Sequence, residues 1–304
     1  MKVFLSSVLC LLLSGAAESQ DAPPIATLNV DVSLVELHVT VADPQGHPIG
    51  GLVQSNFKVT ENGVEQPMAV FKHEDIPVSL GLVLDNSRSI EPRKTRLDAA
   101  ALSFVQKSNP DDEVFIVHFD FDARLSLEFT GDHARLEQTL AAAKPYGETA
   151  LYDSVILALD TMQKAQNQKK ALLLITDGID NVSKTTLEQV VERLKRERVL
   201  VYVVGLLSQS GGVASEESLL RIAEASGARA YFPQTPEEAR IMMEIIARDL
   251  REQYTIAYRP TNPARDGAWR SVHVDITPPK GFPKVLDTNY RRGYYAPESR
   301  NAVR

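Results

Sequence analysis

The strongest constraint on the fold is an alternation of short apolar strands with helical segments between residues 77 and 250. The clearest predicted strands are Val78–Leu84, Val114–Phe119, Ala171–Thr176 and Val199–Leu206. The predicted helices around them are 97–107, 132–143, 151–166, 187–198 and 215–226. Near-continuous apolar strands that alternate with helices are typical of a mainly parallel sheet covered on both faces. We therefore expect an α/β, doubly wound domain, with Arg124–Phe129 as an antiparallel edge strand.

Several helix ends carry recognisable sequence signals. Thr185, with Glu188 three residues later, predicts a capping box, in which side chains satisfy free backbone N–H groups. Gly227 suits the position just after a helix, where a positive φ is common. Thr235 followed by Pro236 predicts the start of a last helix, because proline is tolerated at the first helical position.

Apolar residues alternate with period two on both sides of this domain, which indicates strands with one buried face. On the N-terminal side the alternation runs over 28–34, slips by one residue, and continues over 35–41, so we expect a bulge or a break. Further on, Asn62-Gly63 lies between alternating apolar residues and predicts a tight hairpin. On the C-terminal side, strands are predicted around 254–258 and 272–276, with one more over Tyr290–Tyr295.

Each β flank is small for an independent sheet. We infer that the two flanks pair into one β-sandwich, with the α/β domain inserted between its halves. The alternative is two separate small β modules. The expected organisation is a signal peptide (1–19), an N-terminal β segment (20–76), the α/β domain (77–250), a C-terminal β segment (251–297) and a tail (298–304).

The N-terminus has the pattern of an export signal. Lys2 precedes an apolar run over Val3–Leu13, and small residues follow it, so cleavage after Ala17 or Ser19 is expected. The run is much shorter than the ~20 residues of a spanning helix, and no later segment is apolar enough to span a membrane. Cys10, the only cysteine, lies inside the run, so we expect no disulfide in the mature chain. The predicted location is periplasmic or extracellular.

The net charge of the 304-residue chain is -7, and no block of basic residues with interleaved aromatic residues is present. This charge argues against binding to a phosphate backbone, so we expect no nucleic-acid partner.

The candidate site begins where the first central strand ends. Asp85, Ser87 and Ser89 occupy alternate positions there, so their side chains point the same way in an extended segment. Thr149 precedes a predicted helix, and Asp177 follows the end of another strand. Open α/β sheets bind ligands beyond the carboxyl ends of their strands. These five side chains offer only hard oxygen ligands, which suit Mg²⁺, Mn²⁺ or Ca²⁺.

The order of these residues resembles the metal-ion-dependent adhesion site (MIDAS) of the von Willebrand factor type A family, which has Asp-x-Ser-x-Ser, a distant Thr and a distant Asp. The resemblance covers residues 77–250 and implies a Rossmann-like fold and a metal site at Asp85, Ser87, Ser89, Thr149 and Asp177. It implies that the hydroxyls bind the metal directly and the carboxylates directly or through water. It also implies a protein partner that offers an acidic residue. The flanks are similar to a related family of acidobacteria, on Gln253–Tyr258 and Arg292–Pro297.

Two positions depart from the family pattern. Arg88 stands where the family usually has glycine, so it either strains the turn or reaches toward a ligand. Glu148 stands where a small residue is common, and its carboxylate either repels an acidic partner or adds a metal ligand.

Each site residue also has a simpler structural interpretation. Ser87 and Ser89 suit the cap of the next helix, Thr149 suits the cap of the 151–166 helix, and Asp177-Gly178 suits a plain turn. Their joint order favours the metal site over these separate roles. We interpret the four other aspartates near the strand ends as supports or solvated charges rather than ligands. They are Asp153 and Asp180, expected to support loops, and Asp120 and Asp122, expected to be solvated.

Three functions are consistent with the sequence. The first is a metal-dependent, non-enzymatic interaction module, and the second is a scaffold that has lost its metal through Arg88 and Glu148. The third is a phosphatase with Asp85 as nucleophile, but such an enzyme normally needs a second carboxylate two residues on, where this chain has Ser87.

Overall fold

The computed structural model describes residues 34–106, 109–177, 180–206 and 212–299. The strands are β1 Val35–Ala42, β2 Phe57–Glu61, β3 Val64–Gln66, β4 Met68–Lys72, β5 Val78–Asp85, β6 Glu113–Phe119, β7 Ala123–Thr130, β8 Lys169–Thr176, β9 Leu200–Gly205, β10 Ala230–Tyr231, β11 Tyr254–Tyr258, β12 Trp269–Ile276, β13 Asp287–Asn289 and β14 Gly293–Tyr295. The α-helices are α1 Lys94–Gln106, α2 His133–Ala142, α3 Leu151–Met162, α4 Leu187–Arg196, α5 Gly212–Ser226 and α6 Pro236–Arg251. A 3₁₀ helix, Arg88–Arg93, precedes α1.

The central sheet has the order β10-β9-β8-β5-β6-β7. Every neighbouring pair is parallel except β6 and β7, so β7 is the antiparallel edge strand that the sequence predicted. All eight residues of β5 are buried, because helices cover both faces. Leu82 and Leu84 pack in a cluster with α1, α2 and α6, whereas Val83 packs in a second cluster with α3, α4 and α5. The predicted doubly wound α/β fold is therefore confirmed.

One predicted helix start was wrong by a residue. The N-cap of α4 is Thr186, whose hydroxyl accepts from the Gln189 N–H while the Gln189 side chain accepts from the Thr186 N–H. Thr185 stays outside the helix because its N–H donates to the Asp153 carboxylate. The other two helix-end signals are confirmed: Gly227 has a φ of +87°, and Thr235 caps α6.

The two β flanks interleave in two four-stranded sheets. One has the order β13-β1-β11-β4 and the other β14-β12-β2-β3, so each contains strands from both ends of the chain. Their facing residues form one core that includes Val39, Val59, Ile256 and Val274. The α/β domain is inserted between the halves of this β-sandwich.

In the β flanks one predicted strand is shorter than expected and one predicted turn is confirmed. Of the predicted strand over Tyr290–Tyr295, only Gly293–Tyr295 (β14) is a strand, and β13 (Asp287–Asn289) ends before the predicted range. Tyr290 lies between the two strands and is buried, and its hydroxyl accepts from the Val274 N–H. Asn62 and Gly63 have φ values of +48° and +79° and form the predicted hairpin turn. The alternation over 28–33 and the expected signal peptide lie outside the described residues.

Within the described residues, no helix combines the length and the apolar character needed to cross a membrane.

A buried carboxylate joins the two sheets of the sandwich. Glu61, which is 2% exposed, accepts hydrogen bonds from the hydroxyls of Tyr258 at 2.9 Å and Tyr294 at 2.8 Å. Burial raises the pKa of both tyrosines, so both hydroxyls remain donors. One side chain of the N-terminal flank thus satisfies two donors of the C-terminal flank.

We predict that Glu61→Ala lowers the free energy of unfolding by about 2–4 kcal/mol, because it leaves two tyrosine hydroxyls without their acceptor. Glu65→Ala is the control, since Glu65 is exposed on the adjacent strand β3, and its change is expected to stay within about 0.5 kcal/mol. Urea unfolding of both variants checks this. Equal losses in the two variants would show that the Glu61 contacts do not stabilise the sandwich.

Candidate metal centre

The centre of the candidate site is the carboxylate of Asp85, the last residue of β5 and fully buried. One carboxylate oxygen accepts from the Ser87 N–H at 2.8 Å, and the other accepts from the Thr176 hydroxyl at 2.7 Å. The hydroxyls of Ser87 and Ser89 lie 3.0 Å apart. The two serine hydroxyls therefore lie side by side, although Ser89 is in the 3₁₀ helix Arg88–Arg93 and not in the extended segment that the sequence predicted.

The loop that carries Thr149 lies across the carboxyl edge of the sheet. Its start is bonded to the segment after β5, because Tyr146 N–H donates to Asn86 O and Arg88 N–H donates to Gly147 O. Its end is bonded to the segment after β6, because Ala150 N–H donates to Asp120 O at 2.7 Å.

A third set of hydrogen bonds ties Thr149 to the loop that follows β8. The Thr149 N–H donates to the Asn181 side-chain oxygen at 2.9 Å, and the Asn181 N–H donates to Thr149 O at 3.1 Å. The main chain at Thr149 is thus fixed against all three strand-end loops. Its hydroxyl has no hydrogen-bond partner among the described residues.

Asp177 follows β8, the neighbour of β5 in the sheet. Leu84 pairs with Ile175 in the register, so Thr176 is the next residue beside Asp85, and Asp177 comes directly after it. Burial raises the pKa of Asp85 to about 6, and the negative charge of Asp177 adds to this rise, whereas the hydrogen bonds from Ser87 and Thr176 oppose it. Asp85 and Asp177 are therefore close enough to repel one another.

The simpler interpretations of the serines and the threonine do not fit the geometry. Ser87 is the N-cap of the 3₁₀ helix, but its side chain makes no capping hydrogen bond. The N-cap of α3 is Ala150, so Thr149 does not cap that helix. Helix capping therefore does not account for the hydroxyls of Ser87 and Thr149.

The donor set fits a hard divalent cation. It consists of three hydroxyls and two carboxylates, and no lysine or arginine of the described residues forms an ion pair with Asp85 or Asp177. In the described part of the chain, no three or more acidic, histidine or cysteine side chains are grouped so that they could hold a metal ion, and the candidate site itself has only two such side chains, Asp85 and Asp177. Repulsion between two buried carboxylates without a neighbouring cation is the kind of electrostatic cost that a bound dication relieves.

Arg88 does not strain the turn. Among the described non-glycine residues only Asn62 has a positive φ, so Arg88 adopts an ordinary backbone conformation at the start of the 3₁₀ helix. Its side chain is exposed, as is that of Glu148.

One prediction about the surrounding aspartates was wrong. Asp120 is 4% exposed rather than solvated, and both its oxygens accept from the Arg124 guanidinium. The main-chain oxygen of Asp120 accepts from the Ala150 N–H of the Thr149 loop, which covers this residue. Arg124, four residues on, supplies the positive charge that pairs with the buried carboxylate. Asp122 is exposed, as expected. The ion pair between Asp120 and Arg124 fixes the end of β6 beside the site.

The other two aspartates support the loop after β8. Asp153 accepts from the N–H groups of Lys184 and Thr185, and Asp180 accepts from the Tyr152 N–H and the Ser183 hydroxyl. These bonds join the loop to the first turn of α3, as predicted for supporting residues.

Sequence reasoning missed three polar residues that hold the site together. Thr176 bonds directly to Asp85, Asn86 donates its amide to Lys144 O at 2.6 Å, and Asn181 holds Thr149. Thr176 and Asn86 each adjoin a predicted ligand at a strand end, which is the signal that could have identified them. Asn181 has no such signal, because its contact with Thr149 spans 32 residues.

The fold and the site together define a doubly wound α/β domain with an oxygen-lined site at the carboxyl edge of its sheet. The profile of the von Willebrand factor type A domain family matches residues 80–179, a range that contains all five predicted site residues. The central domain of this chain is similar to that family over these residues.

Solved structures resemble this chain at low sequence identity. Proximal thread matrix protein 1 from the mussel byssus is 17% identical, with a TM-score of 0.51; the match covers 63% of this chain and 51% of that one. Another structure of that protein, described as having a zinc-occupied MIDAS motif, is 17% identical, with a TM-score of 0.48 and coverage of 62% and 49%. The conserved hypothetical protein BatB from Bacteroides thetaiotaomicron is 17% identical, with a TM-score of 0.47 and coverage of 57% and 98%. No curated protein matches the chain.

Gly147, in the loop that carries Thr149, leaves little room for a side chain. Its φ is +75°, and a Cβ there would lie 2.4 Å from the Phe121 ring. We predict that Gly147→Ala lowers the free energy of unfolding by about 1–3 kcal/mol more than Gly46→Ala, because the ring must be displaced. Gly46 is the matched control, with a φ of +86° and no atom within 4 Å.

Denaturant unfolding of both variants checks this prediction. The double variant Gly147→Ala/Phe121→Ala is expected to recover the part of the loss that comes from the collision with the ring. Equal losses for Gly147→Ala and Gly46→Ala would contradict close packing between Phe121 and the loop.

Proposed function

We propose that this protein is an exported interaction module that binds a protein partner through a divalent cation. Mg²⁺ is the expected cation, with Mn²⁺ and Ca²⁺ as alternatives. The observation that carries the proposal is the convergence of Asp85 with the serine hydroxyls, the Thr149 loop and Asp177 at one edge of the sheet, with hydrogen bonds and sheet register fixing each segment.

The charge of the donor set favours binding over an enclosed structural metal. Two carboxylates neutralise a dication, and three hydroxyls add no charge. A cation held in this way supplies a Lewis-acid position that accepts a carboxylate from a partner. The exposure of Ser89 supports access to this position from solvent.

The five proposed ligands would have different roles in binding the cation. Ser87, Ser89 and Thr149 would supply the neutral ligands, and Asp85 and Asp177 would supply the charge, directly or through water. Asp85 also orders the first loop, because it accepts the Ser87 N–H. Thr176 donates to the oxygen of Asp85 that Ser87 N–H leaves free and so restrains the carboxylate.

A phosphatase at Asp85 has less support. The position two residues on is Ser87, whose hydroxyl cannot act as the acid or base that carboxylate-nucleophile chemistry needs. A scaffold without metal remains the alternative that the following measurement distinguishes.

Export is part of the proposal and rests on the N-terminal signal pattern of residues 1–19. An oxygen-lined site of modest charge suits compartments in which millimolar Mg²⁺ or Ca²⁺ is available.

We predict that Mg²⁺ or Mn²⁺ at a hundredfold excess over its Kd stabilises the wild type by about 2.7 kcal/mol, and that Asp85→Asn abolishes this gain. Asp122→Asn is the control, because Asp122 is exposed near the same edge of the sheet and is not a predicted ligand. Thermal unfolding with metal and with chelator checks both variants. If neither cation changed the melting temperature of the wild type, the result would contradict the metal site and favour a scaffold without metal.

A further inference from the structure

Two exposed aromatic residues lie in contact at the rim of the candidate site. Phe121 is 45% exposed and Tyr146 is 60% exposed, and their ring centroids are 5.8 Å apart. Single exposed apolar side chains are common on protein surfaces, but a contacting pair of large aromatic side chains forms a continuous apolar patch. We name this pair the aromatic rim.

The aromatic rim is held by the same bonds that build the site. Tyr146 N–H donates to Asn86 O, one residue after the metal-facing carboxylate of Asp85. The Phe121 ring lies against Gly147, where a Cβ would be 2.4 Å from the ring. Both aromatic side chains thus project from anchored main chain, so a partner that packs on them orders little additional backbone.

The sheet register gives the position of the aromatic rim relative to the site. Phe119, the last residue of β6, pairs with Asp85, and Phe121 lies two residues beyond the strand. Asp177 follows β8, on the opposite side of β5. The aromatic rim therefore lies on the β6 side of the candidate metal position, and Tyr146 is three residues before Thr149 in the same loop.

The charges beside the site restrict the partner further. Arg88 and Glu148 are both exposed, and neither side chain forms an ion pair with any described residue. Arg88 attracts an incoming carboxylate, whereas Glu148, between Gly147 and Thr149, repels a second acidic group on the loop side. This pattern accepts a single carboxylate better than an acidic run.

We propose that the partner is a protein segment in which one acidic residue stands next to a bulky apolar residue. The carboxylate takes the open metal position beside Arg88, and the apolar side chain packs on Phe121 and Tyr146. This inference rests on the proposed function, because the metal supplies the first of the two anchors.

The test is a selection of random peptides displayed on phage against the immobilised full chain. It is run in Mg²⁺ and in chelator, with the wild type and with the double variant Phe121→Ser/Tyr146→Ser. In Mg²⁺ the wild type is expected to enrich peptides with an acidic residue adjacent to an apolar one. The double variant is expected to keep the acidic preference and to lose the apolar one.

The affinity of the best wild-type peptide is then measured by fluorescence anisotropy. We expect the double variant to bind this peptide about 10-fold more weakly, because it lacks the apolar contact with Phe121 and Tyr146. Leu220→Ser is the control, an exposed apolar residue on α5 outside the candidate site, and it should bind like the wild type. Far-UV circular dichroism and the Mg²⁺-induced rise in melting temperature show that the double variant keeps its fold and its metal.

Three results would overturn the inference, and they are distinguishable. Metal-dependent enrichment of acidic peptides with no apolar neighbour would refute the aromatic anchor and leave the proposed function intact. Absence of any metal-dependent enrichment, with no metal effect on wild-type stability, would refute both. Sedimentation of the wild type as a dimer that the double variant dissociates would show that a second copy of the chain covers the aromatic rim.

Discussion

The site depends on one hydrogen-bonded loop. The segment from Tyr146 to Ala150 bonds to the ends of β5 and β6 and to the loop after β8, so it crosses the whole functional edge of the sheet. Strand ends in a parallel sheet are fixed about 4.8 Å apart by the sheet itself. The loop fixes the position of Thr149 relative to the ends of the strands that carry the acidic residues. A change in this loop therefore alters the fold of the edge and the candidate metal site together.

The second constraint is electrostatic. Asp85 and Asp177 lie close together in a buried edge, and no described basic side chain neutralises them. Burial is the main cause of the raised pKa of Asp85, and the negative charge of Asp177 adds a smaller rise. By contrast, Asp120 beside the site forms an ion pair with Arg124, so its charge is already neutralised within the chain. The two kinds of aspartate differ only in their partners.

Most of the fold follows from patterns that depend on burial. The continuous apolar strands predicted the parallel sheet, because β5 and its neighbours are buried on both faces. The flanks predicted strands for the opposite reason, because β12 alternates buried and exposed residues. Details that depend on a long-range contact were harder to predict. The sequence predicts a cap at Thr185 because it does not reveal that Asp153 holds Thr185 outside the helix. It predicts a solvated Asp120 because the loop that buries this residue is distant in sequence, and Asn181 gives no signal for the same reason.

The most direct test of the central claim is the anomalous scattering of a crystal soaked in Mn²⁺. We predict one strong anomalous peak within coordination distance of oxygens from Asp85, Ser87 and Ser89, with Thr149 and Asp177 bound directly or through one water. A peak elsewhere, or an edge of the sheet that stays empty at millimolar Mn²⁺ with Thr149 turned away from Ser87, would contradict it.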